Sequence, residues 1–419
     1  MSKIIKLENS LTLVLTQMEN TKTVAAGIFV RCGSVNERAG EYGLAHFVEH
    51  ILFKGTKTRC AKDIAIGFDR LGGHANAYTS KEMTCFYGKF LKDHFEEGFD
   101  ILADMVLRPK LDETDIELEK GVICEEIAMT QDSHDELVTD NVFACLFGGH
   151  PLGRKIVGDV KSIKAVTRTK LKSFMARNYT AENTVIALCG SFEEKSAVEY
   201  IRELFKDYPA GKGQNDKEEI AYSSGICAAK KNAEQNHICM AFPSYSLGEE
   251  DKTAAVSLLG GIFGGTMSSR LFQKLREENG LVYSVYSFAA RHGDGGAFCV
   301  YAGLSPKNEE KAISLILAQI EDIMTNEVTP EELSGAKEQQ KAILAMELES
   351  NGSMLMHTGK SQLTRGKIKT PDEIYADIDA VTAEDIRNTA REIFKAEKMA
   401  FAALGQIKTK TEYKKILSK

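Results

Sequence analysis

Residues 166–192 read VTRTKLKSFMARNYTAENTVIALCGSF, and residues 381–407 read VTAEDIRNTAREIFKAEKMAFAALGQI. The two stretches align without a gap, the second starting at position 381 and the first at 166, an offset of 215. Each predicts a helix, an Ala-Glu step, an apolar strand and then a glycine, Gly190 or Gly405. A repeat of this length indicates a duplicated domain rather than a solenoid of short units.

A weaker echo extends the duplication toward the N-terminus. Residues 95–120 and 309–337 each predict a helix, a turn and a second helix with an acidic start. Between the two copies lies a polar stretch with glycine and proline, which is typical of a linker. The sequence therefore predicts an N-terminal domain at 1–206, a linker at 207–220 and a C-terminal domain at 221–419.

Each half mixes strand patterns with helix patterns. The strands are predicted at 25–31, 83–91, 184–189, 237–242, 296–303 and 399–404, and the main helices at 95–107, 113–130, 167–177, 251–262, 308–324 and 330–349. Because some strands follow one another directly, an all-parallel arrangement is not expected. The fold class predicted is α+β, with two duplicated domains, each a mostly antiparallel or mixed sheet covered by helices.

The bulk properties exclude several classes of protein. A chain of 419 residues exceeds the usual size of one core, and 43% hydrophobic with 27% charged residues is ordinary for a soluble globular protein. The net charge is −7 and no long basic run occurs, so a nucleic-acid partner is not expected. No apolar run approaches the length of a membrane span, so we expect no membrane partner.

The cysteines and the N-terminal residues bear on location. The nine cysteines are odd in number, scattered, and contain no C-x-x-C pair, which favours free thiols in a reducing compartment over a disulfide framework. The first residues contain neither an apolar signal core nor an Arg-rich leader. We therefore expect a cytoplasmic protein.

One short motif carries recognisable chemistry, His46-Phe47-Val48-Glu49-His50, an H-x-x-E-H sequence. On a helix, two imidazoles four residues apart project from the same side and can bind one transition-metal ion. Glu49 lies on the same side as His46, at i+3, where a carboxylate could take a proton from metal-bound water. The motif indicates a hydrolytic zinc site in the inverted order of H-E-x-x-H.

The residues around the motif support a helix. Leu44, Phe47, Val48, Ile51 and Leu52 form an apolar arc opposite the polar residues of the motif. Gly43 precedes this stretch and Gly55 follows it, and we expect Gly55 to form a left-handed C-terminal cap.

A catalytic zinc usually has three protein ligands and an open position, so a third ligand is needed. The helix predicted from 113 is a suitable source, with Asp112 as its N-cap. It contains Glu117, Glu119, Glu125 and Glu126. Spacing alone does not choose between Glu125 and Glu126.

The duplication is asymmetric in its chemistry. The stretch of the second half that should correspond to the H-x-x-E-H helix reads LLGGIFGGTMSSR, residues 258–270, and contains no metal ligand. We therefore expect one half of the chain to bind metal and the other half not to bind it.

The set of site residues resembles that of the pitrilysin or insulinase family, the inverzincin metallopeptidases, which include mitochondrial processing peptidase. In that family a glutamate ligand lies some 76 residues beyond the second histidine, with a supporting glutamate seven residues earlier. Glu126 lies 76 residues after His50, and Glu119 seven before Glu126. The resemblance thus selects Glu126. Glu125 departs from the pattern, since a basic residue is common there.

The resemblance implies roles for these residues. His46, His50 and Glu126 would hold one Zn²⁺ per chain, and Glu49 would be the general base on zinc-bound water. Glu119 would orient the site from behind the ligands.

Two further stretches are similar to the family. The segment 71–84 resembles the one that carries the substrate-binding edge strand, which implies substrate contacts at Ala75, Asn76 and Ala77. In the second half, Arg276 and Tyr283 match an Arg/Tyr pair that contacts the substrate and the scissile carbonyl.

The function implied is that of a zinc-dependent endopeptidase, which cleaves unfolded peptides or presequence-like segments inside a closed chamber. The size of the chain and its glycine-rich segment 260–265 resemble the bacterial processing-protease-like branch, in which each chain is half of a clamshell. The implied partner is a second copy of the chain, with a paralogue as the alternative. The rival interpretation is a non-catalytic peptide-binding or structural homologue, which would be expected to lose ligands or the general base.

Overall fold

The computed structural model of the protein describes residues 2–213 and 219–418. Its strands are β1 (Lys3–Lys6), β2 (Thr12–Gln17), β3 (Thr23–Val30), β4 (His74–Thr79), β5 (Thr84–Leu91), β6 (Thr184–Gly190), β7 (Gly225–Lys230), β8 (Asn236–Ser244), β9 (Val282–Arg291), β10 (Gly296–Leu304) and β11 (Ala400–Gly405). The strands of the first half form one sheet and those of the second half another.

The helices lie between these strands, in places several in succession. They are α1 (Leu44–Leu52), α2 (Ala61–Arg70), α3 (Phe95–Leu107), α4 (Glu113–Asp132), α5 (His134–Leu146), α6 (Val160–Lys164), α7 (Arg168–Asn178), α8 (Glu194–Phe205), α9 (Thr253–Gly260), α10 (Glu309–Thr325), α11 (Pro330–Leu348), α12 (Asn351–Arg365), α13 (Pro371–Ala380), α14 (Ala383–Ile393) and α15 (Lys410–Leu417). Two π-helical segments, Gly261–Gly265 and Phe272–Glu277, follow α9.

The chain divides into two compact units. Unit 1 comprises Met1–Ala128, Lys155–Asp216 and Met346–Ile368, and unit 2 comprises the remainder. The units therefore depart from two continuous halves, because α5 belongs to the second unit and α12 to the first. Along the sequence, the predicted linker 207–220 lies between α8 and β7, and its residues 214–218 lie outside the described part of the chain.

The sheet of unit 1 has six strands in the order β1-β2-β6-β3-β5-β4. β2 and β6 pair in parallel, and the other neighbours are antiparallel. Both faces are covered: one packs on the core that contains α1, α3 and α7, and the other on α12. Coverage on both sides explains why β6 is buried along its whole length and why its residues do not alternate between apolar and polar.

Helix α12 is fixed to this sheet at both ends. The side-chain amide of Asn351 donates to the Thr23 carbonyl at 3.2 Å and to the Thr23 hydroxyl at 2.9 Å. Arg31 donates to the Leu363 and Thr364 carbonyls, which the helix end leaves unsatisfied. The Phe29 ring lies so close to Gly359 that no side chain would fit between them.

The sheet of unit 2 has five strands in the order β7-β11-β8-β10-β9. β7 and β11 pair in parallel, and the rest are antiparallel. The helices α9, α10 and α14 supply the core on one face, while α5 packs against β8 and β11. The predicted fold class, α+β with two mixed sheets covered by helices, is confirmed.

The duplication is visible in the element bounds. Helix α7 begins 215 positions before α14, and both have 11 residues. The strands that follow end at Gly190 and Gly405, and both glycines have φ of +123°. The repeat in the sequence thus corresponds to a repeat in the backbone.

Two expectations from the sequence were wrong in detail. Gly55 does not cap α1, because the helix ends at Leu52 and its C-cap is Phe53 in a right-handed conformation. The helix predicted over 251–262 ends as an α-helix at Gly260 and continues as a π-helical turn. The π-helical turn Gly261–Gly265 contains three glycines, and glycine lowers the preference of a segment for the α-helix.

Candidate metal centre

The helix α1 is anchored at its N-terminus by a buried carboxylate. Glu37 accepts hydrogen bonds from the backbone N–H groups of Gly43 and Ala45, both at 2.9 Å. These N–H groups would otherwise be unsatisfied, and a negative charge at this end is favoured by the helix dipole. Gly43 has φ of +89°, and a side chain there would collide with the Val157 carbonyl and Ile163.

The apolar arc of α1 is buried as predicted, and this turns the motif toward α4. The imidazole rings of His46 and His50 have centroids 4.5 Å apart. His46 Nε2 lies 3.0 Å from Glu126 Oε2, and His50 Nε2 lies 3.5 Å from the same oxygen. Helix α4 begins as expected, because the Asp112 carboxylate accepts the Thr114 N–H at 3.0 Å.

The three side chains form a cluster that could hold a metal ion. One donor atom from each of His46, His50 and Glu126 lies within 4.8 Å of the others, and no second such cluster occurs among the described residues. In a tetrahedral zinc site with bonds near 2.0–2.1 Å, two ligand atoms are about 3.3 Å apart. The separations of 3.0 and 3.5 Å are close to that value, so the two imidazoles and the carboxylate fit a zinc ion as three protein ligands.

The electrostatics of the cluster favour a cation. Burial opposes charge on His46, but its hydrogen bonds to Glu126 and Glu49 outweigh burial and raise the pKa of His46 to about 9. The hydrogen bond to His46 in turn lowers the pKa of Glu126 below its usual value. The same carboxylates would stabilise a metal cation at this position.

Glu119 lies behind the cluster and is almost fully buried. Its Oε1 is 2.8 Å from His50 Nδ1, and its Oε2 is 2.7 Å from Lys54 Nζ. Burial alone would raise the pKa of Glu119, but its hydrogen bonds to His50 and Lys54 leave that pKa lowered. A proton held on Nδ1 of His50 leaves Nε2 as the metal-binding atom.

Glu49 lies beside the cluster rather than in it. Its Oε2 is 3.6 Å from His46 Nδ1 and accepts a hydrogen bond from the Thr79 hydroxyl at 2.5 Å. The carboxylate is largely enclosed, with 15% of the side chain exposed. Because Thr79 is the last residue of β4, the strand and the helix fix this carboxylate together.

The strand β4 carries the predicted substrate contacts. It lies at one edge of the six-stranded sheet, with β1 at the other, and pairs only with β5 among the described strands. Ala75, Asn76 and Ala77 lie in its middle, and the Ala77 N–H donates to the side chain of Asn76 at 2.8 Å. An edge strand of this kind has backbone groups that an extended peptide can pair with.

Arg276 and Tyr283 lie together in unit 2. The Arg276 guanidinium lies 4.9 Å from the Phe272 ring centroid and 5.9 Å from that of Tyr283. The Tyr283 side chain is strongly exposed, and Arg276 belongs to the π-helical turn Phe272–Glu277. The two predicted substrate residues therefore form one exposed pair.

Sequence reasoning missed three residues that support the cluster, Glu37, Lys54 and Thr79. Glu37 and Thr79 are brought to α1 from other parts of the chain, and no local pattern points to them. Lys54 lies four residues after His50, which places it near that histidine and is the one available signal.

Comparison with known proteins extends these observations. The chain has a two-sheet α+β fold, and its described residues contain one three-residue cluster that could hold a metal ion. Residues 12–160 match the family model described as insulinase (peptidase family M16), and residues 165–340 match the model described as the peptidase M16 inactive domain. The chain belongs to the insulinase family, peptidase family M16, and the resemblance found in the sequence is confirmed.

Curated relatives match along nearly the whole chain. The uncharacterized zinc protease YmxG of Bacillus subtilis is 35% identical over 394 residues, covering 94% of this chain and 96% of that protein. The uncharacterized zinc protease Rv2782c of Mycobacterium tuberculosis is 34% identical over 407 residues, covering 95% and 92%. The names of these relatives describe zinc proteases.

Solved structures share the fold. A peptidase M16 inactive domain from Pseudomonas fluorescens matches with a TM-score of 0.91 at 21% identity, covering 98% of this chain and 99% of that one. A protease from Helicobacter pylori matches with a TM-score of 0.90 at 21% identity, covering 96% and 99%. Within the described residues, none of the helices combines the length and apolar character that crossing a membrane requires.

Proposed function

We propose that the protein is a zinc-dependent endopeptidase that cleaves unfolded peptides. The observation that carries the proposal is the convergence of His46, His50 and Glu126 on one point, with the Glu49 carboxylate beside them. Relatives named as zinc proteases support the same reaction class. The ligand set and the general base are those that metal-assisted hydrolysis needs.

The two histidines and Glu126 would hold the ion, and Glu119 with Lys54 would fix the orientation of His50. When bound, zinc would polarise a peptide carbonyl and make a water molecule more acidic. Glu49 would take the proton from the attacking water and deliver it to the leaving amine. The hydrogen bond from Thr79 keeps the Glu49 carboxylate in one position for that transfer.

The substrate would bind as an additional strand along β4. Pairing at Ala75, Asn76 and Ala77 engages the backbone of the peptide more than its side chains. Only an extended segment can pair in this way, so unfolded peptides and presequence-like segments fit better than folded proteins. A closed chamber would enforce the same selection.

The exposed pair Arg276 and Tyr283 would act on the carbonyl that is attacked. Hydrogen-bond donors at this position stabilise the negative charge that develops on the oxygen. We propose that the pair is supplied by a second copy of the chain, so that the working enzyme is a homodimer of two clamshell halves. A heterodimer with a paralogue is the alternative.

A second candidate function is peptide binding without turnover. The observation that favours it is the match of residues 165–340 to a domain described as inactive. That match lies outside the H-x-x-E-H helix. A homologue that only binds peptide, or has only a structural role, would be free to lose Glu49, which this chain retains.

The deciding experiment compares the wild type with Glu49→Gln on a mixed set of unstructured peptides. We expect Glu49→Gln to keep its zinc and to lose about 10²- to 10⁴-fold in kcat, the usual contribution of a general base. Glu125→Gln, which alters an exposed carboxylate on α4, is the control and should cleave normally. Equal cleavage by wild type and Glu49→Gln would contradict the assigned base, and no cleavage by a zinc-loaded wild type would favour peptide binding.

A further inference from the structure

A groove in unit 1 lies apart from the residues of the metal cluster. It has a volume of about 680 Å³, within the range typical of small-molecule sites. Its walls are the end of α3 with the loop that follows, one side of α7, and the end of α8 with the residues after it. None of the residues that line it belongs to the proposed catalytic set.

The groove is strongly cationic although the chain as a whole is acidic. One acidic side chain, Asp207, lines it beside five basic ones: Lys57, Arg108, Lys110, Arg168 and Lys172. Arg108 pairs with Asp104, and Lys110 with Asp112, so their charges are partly compensated.

The other three cations are not neutralised. Within residues 2–213 and 219–418, Lys57 and Lys172 have no carboxylate partner, and Arg168 donates only to the Lys110 carbonyl, at 3.2 Å. In a protein with a net charge of −7, three uncompensated cations around one groove make a local site for an anion.

The floor of the groove is apolar. Val106, Leu111, Met175, Tyr179 and Tyr208 line it and are buried members of the core of unit 1. Each of these side chains keeps a small exposed fraction, so a narrow apolar strip is accessible at the bottom of the charged groove. A ligand that carries both an anionic group and an apolar part matches both features.

The backbone at the groove wall is strained. Leu111 has φ of +50°, a left-handed conformation that is rare for a residue with a branched, bulky side chain. Such conformations persist only where the surroundings fix them, and they concentrate at functional sites. Here the conformation places the Leu111 side chain in the floor and the Lys110 carbonyl against Arg168.

We propose that this groove binds a small amphipathic anion. A phosphate or carboxylate group would meet Arg168, Lys172 and Lys57, and an apolar tail or ring would lie on Met175 and Tyr208. Either anionic group satisfies the site, since both accept several charge-assisted hydrogen bonds. The ligand class is distinct from the peptide proposed as substrate.

Calorimetric titration of the zinc-loaded full chain tests this, with probes held below their micelle concentrations. Octyl phosphate and octanoate combine an anion with a tail, inorganic phosphate lacks the tail, and octylammonium reverses the charge. We expect one octyl phosphate per chain, much weaker binding of inorganic phosphate, and none of octylammonium. Binding of octanoate as well as octyl phosphate would assign a general anion site, and binding of octyl phosphate alone a phosphoryl site; both support the proposal.

The double variant Arg168→Gln, Lys172→Gln removes two exposed cations without touching the core. Its affinity for octyl phosphate should fall by roughly tenfold or more, as expected for the loss of charge-assisted hydrogen bonds. Lys195→Gln, an exposed lysine of α8 outside the groove, should bind like the wild type. Unchanged affinity in the double variant, octylammonium binding as tightly as octyl phosphate, or inorganic phosphate matching octyl phosphate would each overturn the proposal.

Discussion

The helix α1 and the stretch 258–270, which the repeat in the sequence predicts to correspond, differ in the residues and the helix type that matter for chemistry. The first is a regular α-helix with two histidines and a glutamate on one side. The second contains no metal ligand and is π-helical over Gly261–Gly265. By contrast, α7 and α14 have kept both length and position. The repeat therefore preserves the scaffold and not the site.

The difference shows which parts of the sequence the fold depends on. Sheet and helix bounds coincide where apolar residues recur with a regular period, because burial of those residues stabilises both copies equally. The metal cluster depends instead on a few polar side chains, and loss of those side chains would leave the core intact. Variants of the metal cluster and variants of the repeated strands should therefore have different effects.

The largest effect is expected at the third ligand. Glu126→Gln should weaken zinc binding by more than ~100-fold, because a neutral amide replaces the charged donor shared by the two histidines. Zinc content after dialysis against a metal buffer measures this. Glu125→Gln is the matched control on the next position of α4.

The sequence left Glu125 and Glu126 open until the family resemblance selected the second. The structure places Glu126 against both histidines, and Glu125 is exposed. If Glu125→Gln lost zinc and Glu126→Gln kept it, the ligand set would be wrong.

A smaller effect is expected at Glu119. Glu119→Gln should weaken zinc binding about 10- to 100-fold, because the charge that orients His50 and pairs with Lys54 is removed. Competition with a chromophoric chelator measures the affinity. Glu117→Gln removes a carboxylate that pairs with Lys120 on the same helix, and it should leave the zinc affinity unchanged.

Gly190 and Gly405, which end the repeated strands β6 and β11, test the scaffold that the two halves share. Gly190→Ala and Gly405→Ala should both lower the free energy of unfolding, by ~1–3 kcal/mol for the backbone conformation alone. Gly190→Ala should be the more damaging, because the new Cβ would lie 2.3 Å from the backbone oxygen of Thr23. At Gly405 the nearest atoms are the Asn236 side-chain oxygen at 2.6 Å and the Gln235 backbone oxygen at 2.8 Å, both farther from the added Cβ than the Thr23 oxygen is at position 190.

Denaturant midpoints measure these effects. Gly366→Ala is the control, since Gly366 has φ of +69° but no atom within 4 Å of the added Cβ. A loss at Gly190 no greater than at Gly366 would show that close packing at the strand end is unimportant.

The sequence predicted the apolar scaffold in part, and it did so best where apolar residues recur with a regular period. The helix 95–107 was predicted with its observed bounds, and the five apolar residues of α1 are buried as expected. Neither α5 nor α12 was among the predicted helices, so their places in the second and the first unit were not predicted either. Gly55 was assigned a cap because glycine favours one, but the helix ends three residues earlier.

The candidate site shows a similar limit. The motif identifies His46 and His50, which lie four residues apart on one helix, and the helical period alone brings their side chains together. Thr79 reaches Glu49 from the sheet, and Glu37 reaches the start of α1 from a preceding turn. These contacts depend on tertiary packing, and a single sequence carries no local signal for them.

The last prediction asks whether the half without metal ligands takes part in catalysis. Glu49→Gln and Tyr283→Phe chains should each be weak alone. In an equal mixture of homodimers that exchange subunits, half of the dimers would be mixed, and one of their two composite sites would be intact. Peptide cleavage should therefore rise to about a quarter of the wild-type rate if the Arg276 and Tyr283 pair acts on the partner's metal centre. If the pair acts within its own chain, every site in the mixture retains one defect, and the rate should stay at the mean of the two parents. Either result would decide whether the second copy of the repeat has become a scaffold only or supplies half of the active site.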